Sequence, residues 1–158
     1  MVLTIAIAQP TSVPDLGRLH GVVQDLHARL SPDIFRCDWL PSELEVLWAA
    51  RLADPKSKVI IAMLDGTTVG YIWFETIVRE RDATHIARRR IHVHHIVVDE
   101  IARGEGTGER LLAEAELEAG RLDISDITLE AWASNSIAQA FFSKRGYDPV
   151  YISLTKKA

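Results

Sequence analysis

Three histidines fall within four residues of one predicted strand, IHVHHIVV, at residues 91–98. His92 and His94 are two residues apart and therefore share one face of a strand, whereas His95 should face the other way. Imidazole has an ordinary pKa of about 6.5, which suits a general base near neutral pH. The strand therefore presents His94 and His92 as candidate bases, with an ordinary hydrogen-bonded structural role as the alternative. A metal site on this pair would need a third ligand that the sequence does not assign, so no metal is expected.

Two carboxylates compete for the same chemical role. Glu75 lies in YIWFET and Glu130 lies in LEAW, and both segments are predicted strands. A carboxylate can accept a proton from a substrate when it is positioned within hydrogen-bond reach of it. Either side chain could instead face solvent or pair with an arginine, so both remain alternatives to the histidines.

A glycine-rich stretch, RGEGTGERLL, joins a predicted strand to a predicted helix. Glycines at a helix N-terminus let an anionic group approach unpaired backbone N–H groups, so Gly104, Gly106 and Gly108 could cradle a pyrophosphate. A flexible loop with a tight packing contact is the alternative. A nucleotide P-loop is excluded because Glu109, not lysine, follows the last glycine. The spacing also differs from the G-x-G-x-x-G of dinucleotide-binding folds.

The surrounding elements are read from apolar periodicity and turn residues. Capping boxes are expected at Ser12 with Asp15 and at Ser42 with Glu45, and Gly146 is expected to close the last helix in a left-handed conformation. The predicted order is β-α-α-β-β-β-α-β-α-β, an α/β (α+β) fold in one domain over residues 1–158. Strands are predicted at 2–8, 58–64, 67–80, 91–98, 126–132 and 148–155, and helices at 15–30, after Pro41, at 109–120 and at 135–146.

Composition narrows the functional class. The net charge of −4 argues against a nucleic-acid partner, which usually meets a basic surplus. The single cysteine, Cys37, excludes an intramolecular disulfide framework and a multi-cysteine zinc site. No apolar run has the length of a membrane span, and the N-terminus lacks a charged leader, so a cytoplasmic protein without a membrane partner is expected.

Two motifs together resemble one family. Residues 103–108, RGEGTG, fit the R/Q-x-x-G-x-G/A signature of the GNAT superfamily of acyl-CoA N-acyltransferases. LEAWASNSIAQAFFSKRGY resembles the second motif of that family, with matches or close variants at Leu129, Asn135, Ala138, Phe141, Gly146 and Tyr147. The resemblance implies a mixed, mostly antiparallel central sheet with helices on both faces. It also implies acetyl-CoA as co-substrate.

The resemblance assigns the expected acetyl-CoA contacts residue by residue. The pantetheine arm would pair with the backbone of Ile96, Val97 and Val98, and Asn135 would contact the pantetheine region. The pyrophosphate would be held by backbone N–H groups of Arg103, Gly104, Glu105, Gly106, Thr107 and Gly108. His92 and His94 stand where serotonin N-acetyltransferase, a member of the family, has two histidines that act as base through water.

One position departs from the family pattern. Phe142, which the resemblance also places among the residues that contact acetyl-CoA, stands where the family usually carries a tyrosine that protonates the departing thiolate. We expect the thiolate to leave unassisted, and a Phe142→Tyr substitution to be neutral or to raise kcat. The expected function is acetyl transfer to a primary amine of a small molecule or peptide, with a homodimer as a further expectation from the family. A non-catalytic acyl-CoA-binding or regulatory domain of the same fold is the alternative that Phe142 supports.

Overall fold

The computed structural model describes all of residues 1–158 and contains a five-stranded sheet in the order β1-β2-β3-β4-β5. The strands are β1 (Leu3–Ile7), β2 (Ser57–Leu64), β3 (Thr67–Arg79), β4 (Arg88–Val98) and β5 (Ile127–Leu129). Neighbouring strands from β1 to β4 are antiparallel, and β5 runs parallel to β4. The expected mixed, mostly antiparallel α/β fold is therefore confirmed.

Four helices cover the two faces of this sheet. They are α1 (Val13–Leu30), α2 (Pro41–Ala53), α3 (Thr107–Arg121) and α4 (Ser136–Lys144), with short 3-10 turns at Pro10–Ser12 and Glu100–Ala102. Leu16, Leu19 and Trp48 of α1 and α2 pack against Tyr71 and Val97 on one face. On the other face, the core formed with α3 and α4 includes Phe74, Ile91, Val93, Leu111, Leu112 and Phe142. No helix combines the length and apolar character that a membrane crossing requires.

Both predicted capping boxes are wrong in detail. The Ser12 hydroxyl accepts from the Gln9 amide at 3.1 Å and makes no cap to α1, because a 3-10 turn precedes this helix. The second helix begins at Pro41, one residue earlier than expected. Its Glu43 carboxylate accepts from the Leu40 amide at 2.8 Å, so Glu43, not Glu45, satisfies the free donor at this end.

The end of α4 agrees with the sequence prediction. Gly146 has φ +84°, in the left-handed region. Its amide donates to the Ser143 carbonyl at 3.0 Å, and the Tyr147 amide donates to the Phe142 carbonyl at 3.1 Å. These two bonds are the Schellman pattern, which satisfies carbonyls that a helix end leaves free.

The prediction of a final strand at residues 148–155 is wrong, because the segment after α4 forms no strand. Its apolar side chains are exposed, including Val150 and Leu154. The predicted strand at 126–132 is likewise reduced to Ile127–Leu129. The sheet therefore ends at a three-residue strand. Because β5 is so short, most of β4 has no strand beside it on that side.

Candidate active site

A β-bulge in β4 changes the direction of His95 relative to His94. Trp73 of β3 lies opposite His95 and Phe74 lies opposite Val93, so His94 has no partner across the ladder. An extra residue in one strand resets the side-chain alternation, and His94 and His95 consequently project from the same face. The expectation that His95 faces away from His94 is therefore wrong. His92, His94 and His95 all face α1 and α2, and we call this surface of β4 the histidine face.

The sequence carried a signal for this bulge. Apolar residues that face α3 step by two from Ile91 to Val93, then by three to Ile96, and by two again to Val98. A step of three inside a strand with period two marks one inserted residue. A prediction that assumes strict alternation across residues 91–98 does not detect this inserted residue.

His94 is held by an aromatic ring and a carboxylate. Its imidazole stacks on Trp73 with ring centroids 4.2 Å apart. Its Nε2 lies 3.5 Å from Glu75 Oε2, so the structure brings together two of the predicted catalytic candidates. Ser57, which the sequence analysis did not single out, accepts from Trp73 Nε1 at 3.1 Å and donates to Glu75 at 3.4 Å. This arrangement stabilises the positive charge that His94 would acquire on taking a proton.

His92 has a different partner. Its Nδ1 lies 2.9 Å from the Thr128 hydroxyl of β5, and its ring contacts that of His94 edge-on at 4.7 Å. Burial lowers the pKa of His92, and the neighbouring His94 lowers it further. A half-buried imidazole with a lowered pKa is neutral at pH 7 and therefore able to accept a proton. Glu130 is exposed and accepts from Tyr151 Oη at 3.2 Å.

A gap opens beside β4 beyond Val93. Only Ile91, His92 and Val93 pair with β5, so the rest of β4 has β3 on one side and no strand on the other. Ile96, Val97 and Val98, the expected pantetheine-binding residues, lie along this open edge. The carbonyl of Val98 accepts from Arg103 Nε at 3.1 Å.

The glycine loop lies at the end of this open edge. Gly104 and Gly106 have φ +79° and +76°, and a Cβ at either position would meet no atom within 4 Å. The amides of residues 104–109 donate to no acceptor within the protein. Consecutive free amides around left-handed residues form a concave anion site at the positive end of α3. The arrangement fits a pyrophosphate.

Gly108 differs from the other two glycines, because a Cβ there would lie 3.3 Å from the Phe141 ring. Its role is the close approach of α3 to α4, which is the packing role considered for the loop. Thr107 is buried beneath the loop, and its hydroxyl has no partner.

The two remaining predicted contacts lie at the start of α4 and within it. The Asn135 side chain accepts from the Ala138 amide at 3.1 Å and so caps the helix. Its NH₂ group makes no hydrogen bond within the protein and can still donate to a ligand. Phe142 is 8% exposed and packs in the apolar core, with its ring 5.9 Å from that of Tyr147. Burial raises the pKa of Tyr147 to about 12, which makes it a weak acid at neutral pH.

Comparisons with known proteins agree with this fold and identify the family. The family model described as Acetyltransferase (GNAT) family matches residues 24–147, which is most of the chain. The chain therefore belongs to the GNAT family of acetyltransferases, and the resemblance read from its two motifs is confirmed. No curated protein sequence matches it significantly. No group of three or more His, Cys, Asp or Glu residues is arranged to hold a metal ion.

Solved structures share the fold at low sequence identity. A tetramutant of the BH1408 protein from Bacillus halodurans is 21% identical with a TM-score of 0.89, over 98% of this chain and 99% of that one. A ribosomal-protein-alanine N-acetyltransferase from Brucella melitensis biovar Abortus 2308 is 16% identical with a TM-score of 0.72, over 99% and 100%. An aminoglycoside N-acetyltransferase in complex with CoA is 14% identical with a TM-score of 0.75, over 99% and 95%.

Proposed function

We propose that this protein, as one domain over residues 1–158, transfers the acetyl group of acetyl-CoA to a primary amine. The observation that carries the proposal is that an anion site and two candidate bases lie along the same open edge of β4. The open edge of β4 leads to free amides at residues 104–109, and the same strand presents His92 and His94 where that edge begins. Membership in the acetyltransferase family supports the reaction class.

The chain offers acetyl-CoA mainly backbone groups. The amides of residues 104–109 would hold the pyrophosphate, and the edge of β4 at residues 96–98 would pair with the pantetheine arm. The Arg103 side chain donates a hydrogen bond to the Val98 carbonyl. That bond must break before the carbonyl can accept one from the pantetheine arm. Acetyl-CoA supplies the activated acetyl group as a thioester.

The histidine face supplies the base. An acceptor amine attacks as the neutral form, so His94 or His92 takes its proton as the C–N bond forms and the C–S bond breaks. Glu75 lies beside His94 and offsets the new positive charge, which assigns Glu75 a positioning role and leaves the base role to the imidazole.

The leaving thiolate receives no phenolic proton donor from α4. Phe142 is buried in the core and Tyr147 has a raised pKa, so neither donates readily. We infer that the thiolate leaves unassisted, as its modest basicity permits.

The test is acetyl-CoA turnover, followed by thiol release, with a panel of primary amines. The protein should release CoA in an amine-dependent manner and bind CoA in a calorimetric titration. If CoA binds but no amine supports turnover, the second candidate function holds: a non-catalytic acyl-CoA-binding domain, which the absence of a tyrosine at residue 142 favours. If CoA does not bind, both are wrong.

A further inference from the structure

Three buried polar atoms lie together beneath α1 and α2 without any hydrogen-bond partner. They are Nδ1 of His20, Nε1 of Trp48 and one terminal guanidinium nitrogen of Arg51. Buried polar groups are almost always paired, so a cluster of three unpaired ones indicates a missing water or ligand. None of these residues has a role in the acetyl transfer described above.

Three side chains, those of Arg51, His20 and Tyr71, surround the ring of Trp48. Arg51 lies 4.7 Å from the ring centre of Trp48, and His20 contacts the same ring edge-on at 5.9 Å. The ring centroid of Tyr71 lies 4.7 Å from that of Trp48. The Tyr71 hydroxyl lies 2.5 Å from Nδ1 of His95. The unpaired atoms thus belong to one continuous cluster.

This cluster carries a single formal charge. Burial lowers the pKa of His20 to about 4, and burial also places the pKa of His95 well below its ordinary value. Burial likewise lowers the pKa of His27, which lies beyond His95, and raises that of Tyr71, so all four are neutral at pH 7. Arg51 remains the one cation, and no carboxylate pairs with it.

The cluster lies next to the candidate base. Arg51 sits 4.0 Å from the ring centre of Trp73, and His94 stacks on the same ring at 4.2 Å. On the other flank, His95 follows His94 in the chain and contacts His20 with ring centroids 4.8 Å apart.

We propose that Arg51, Trp48 and His20 form an anion subsite that binds a carboxylate carried by the acceptor amine. The inference rests on the proposed acetyl transfer and specifies its substrate class: an amine whose carboxylate reaches Arg51 while its nitrogen reaches His94. An unpaired guanidinium and an indole N–H are both donors, which a carboxylate can satisfy together. A polycationic acceptor would meet Arg51 with repulsion, which separates this chain from the aminoglycoside acetyltransferases among its structural neighbours.

The first test measures anion binding without turnover. The indole N–H signals of the four tryptophans are followed by ¹⁵N NMR while acetate replaces chloride at constant ionic strength. The Trp48 signal, assigned from its loss in Trp48→Phe, should shift in the wild type and stay fixed in Arg51→Gln. Arg121→Gln, which removes an exposed arginine at the end of α3, should behave as wild type. An unmoved Trp48 signal in the wild type would show that buried water satisfies these atoms, and would overturn the subsite.

The second test compares acceptors that differ by a carboxylate, such as lysine and 1,5-diaminopentane. Arg51→Gln should lower kcat/KM for lysine roughly 10–100-fold more than for the diamine, the range for a hydrogen bond to a charged group. Arg51→Lys should restore part of the difference. Equal losses for the two acceptors would contradict the subsite. If no amine is acetylated at all, the proposed reaction fails, whereas the NMR test still decides whether the anion binds.

Discussion

The glycine loop and the histidine face are built from different parts of the chain. The loop offers backbone amides at residues 104–109, and its geometry depends on two left-handed glycines. The histidine face offers side chains, and the direction of His95 depends on a single inserted residue at His94. A backbone site can be recognised from local residue types, whereas a side-chain site depends on register. The two sites should therefore respond independently to substitution, and the following predictions test that independence.

The largest effect should come from removing the base. His92→Gln together with His94→Gln should lower kcat/KM by roughly 10²–10⁴-fold, because a positioned general base contributes that much. His85→Gln is the matched control, since His85 is exposed in the loop between β3 and β4 and bonds only to its local neighbours. Full activity in the double variant would move the base role to Glu75 or Glu130.

Acid should lower the stability of the folded protein through its buried histidines. His20, with a pKa lowered from 6.5 to about 4, stays neutral in the folded state while the unfolded chain takes up a proton. Stability is therefore complete above pH 6.5 and is lost as pH falls toward 4, by up to about 1.4 kcal/mol per pH unit for each such histidine. His27, His92 and His95 shift in the same direction.

Urea unfolding between pH 7 and 5 checks this slope, because most carboxylates stay ionised there. His20→Gln should reduce the slope by one proton. A free energy of unfolding that does not vary across this range would show that the buried imidazoles accept protons in the folded state.

Phe142→Tyr should destabilise the protein without restoring an acid. The Phe142 ring lies in the apolar core on the α3 side of the sheet, so an added hydroxyl without a partner costs roughly 1–3 kcal/mol. This reverses the expectation drawn from the family pattern, in which the substitution was neutral or raised kcat. Chemical denaturation measures the loss, and Phe141→Tyr, at a half-buried neighbour, should lose less. A raised kcat at unchanged stability would show that residue 142 reaches the thiolate.

A smaller effect is expected in the loop. Gly106→Val forces a β-branched residue into φ +76°, at a cost of roughly 1–2 kcal/mol, and the loop should relax away from its anion-binding shape. The dissociation constant for CoA should rise roughly 5–30-fold by calorimetry. Gly66→Val carries the same strain at φ +83° in the turn between β2 and β3, so it should cost stability and leave CoA affinity intact. Equal CoA affinity in both variants would place the pyrophosphate elsewhere.

The sequence predicts backbone features well because their determinants are local. Gly146 and the loop glycines carry their own conformational signal, and apolar periodicity places the helices and the first four strands. The direction of His95, the partner of His92 at Thr128 and the cluster around Trp48 depend on contacts between segments far apart in the chain. The predicted final strand at 148–155 does not form, because the residues of one segment cannot show whether a neighbouring strand is long enough to pair with it.

The most direct test of independence is a calorimetric titration of CoA into the His92→Gln, His94→Gln double variant. The account predicts a dissociation constant close to that of the wild type, because the amides of residues 104–109 do not depend on either imidazole. The same preparation should have lost most of its amine-dependent turnover. A CoA affinity that falls in parallel with activity would contradict the account, since it would show that the histidine face itself holds the co-substrate.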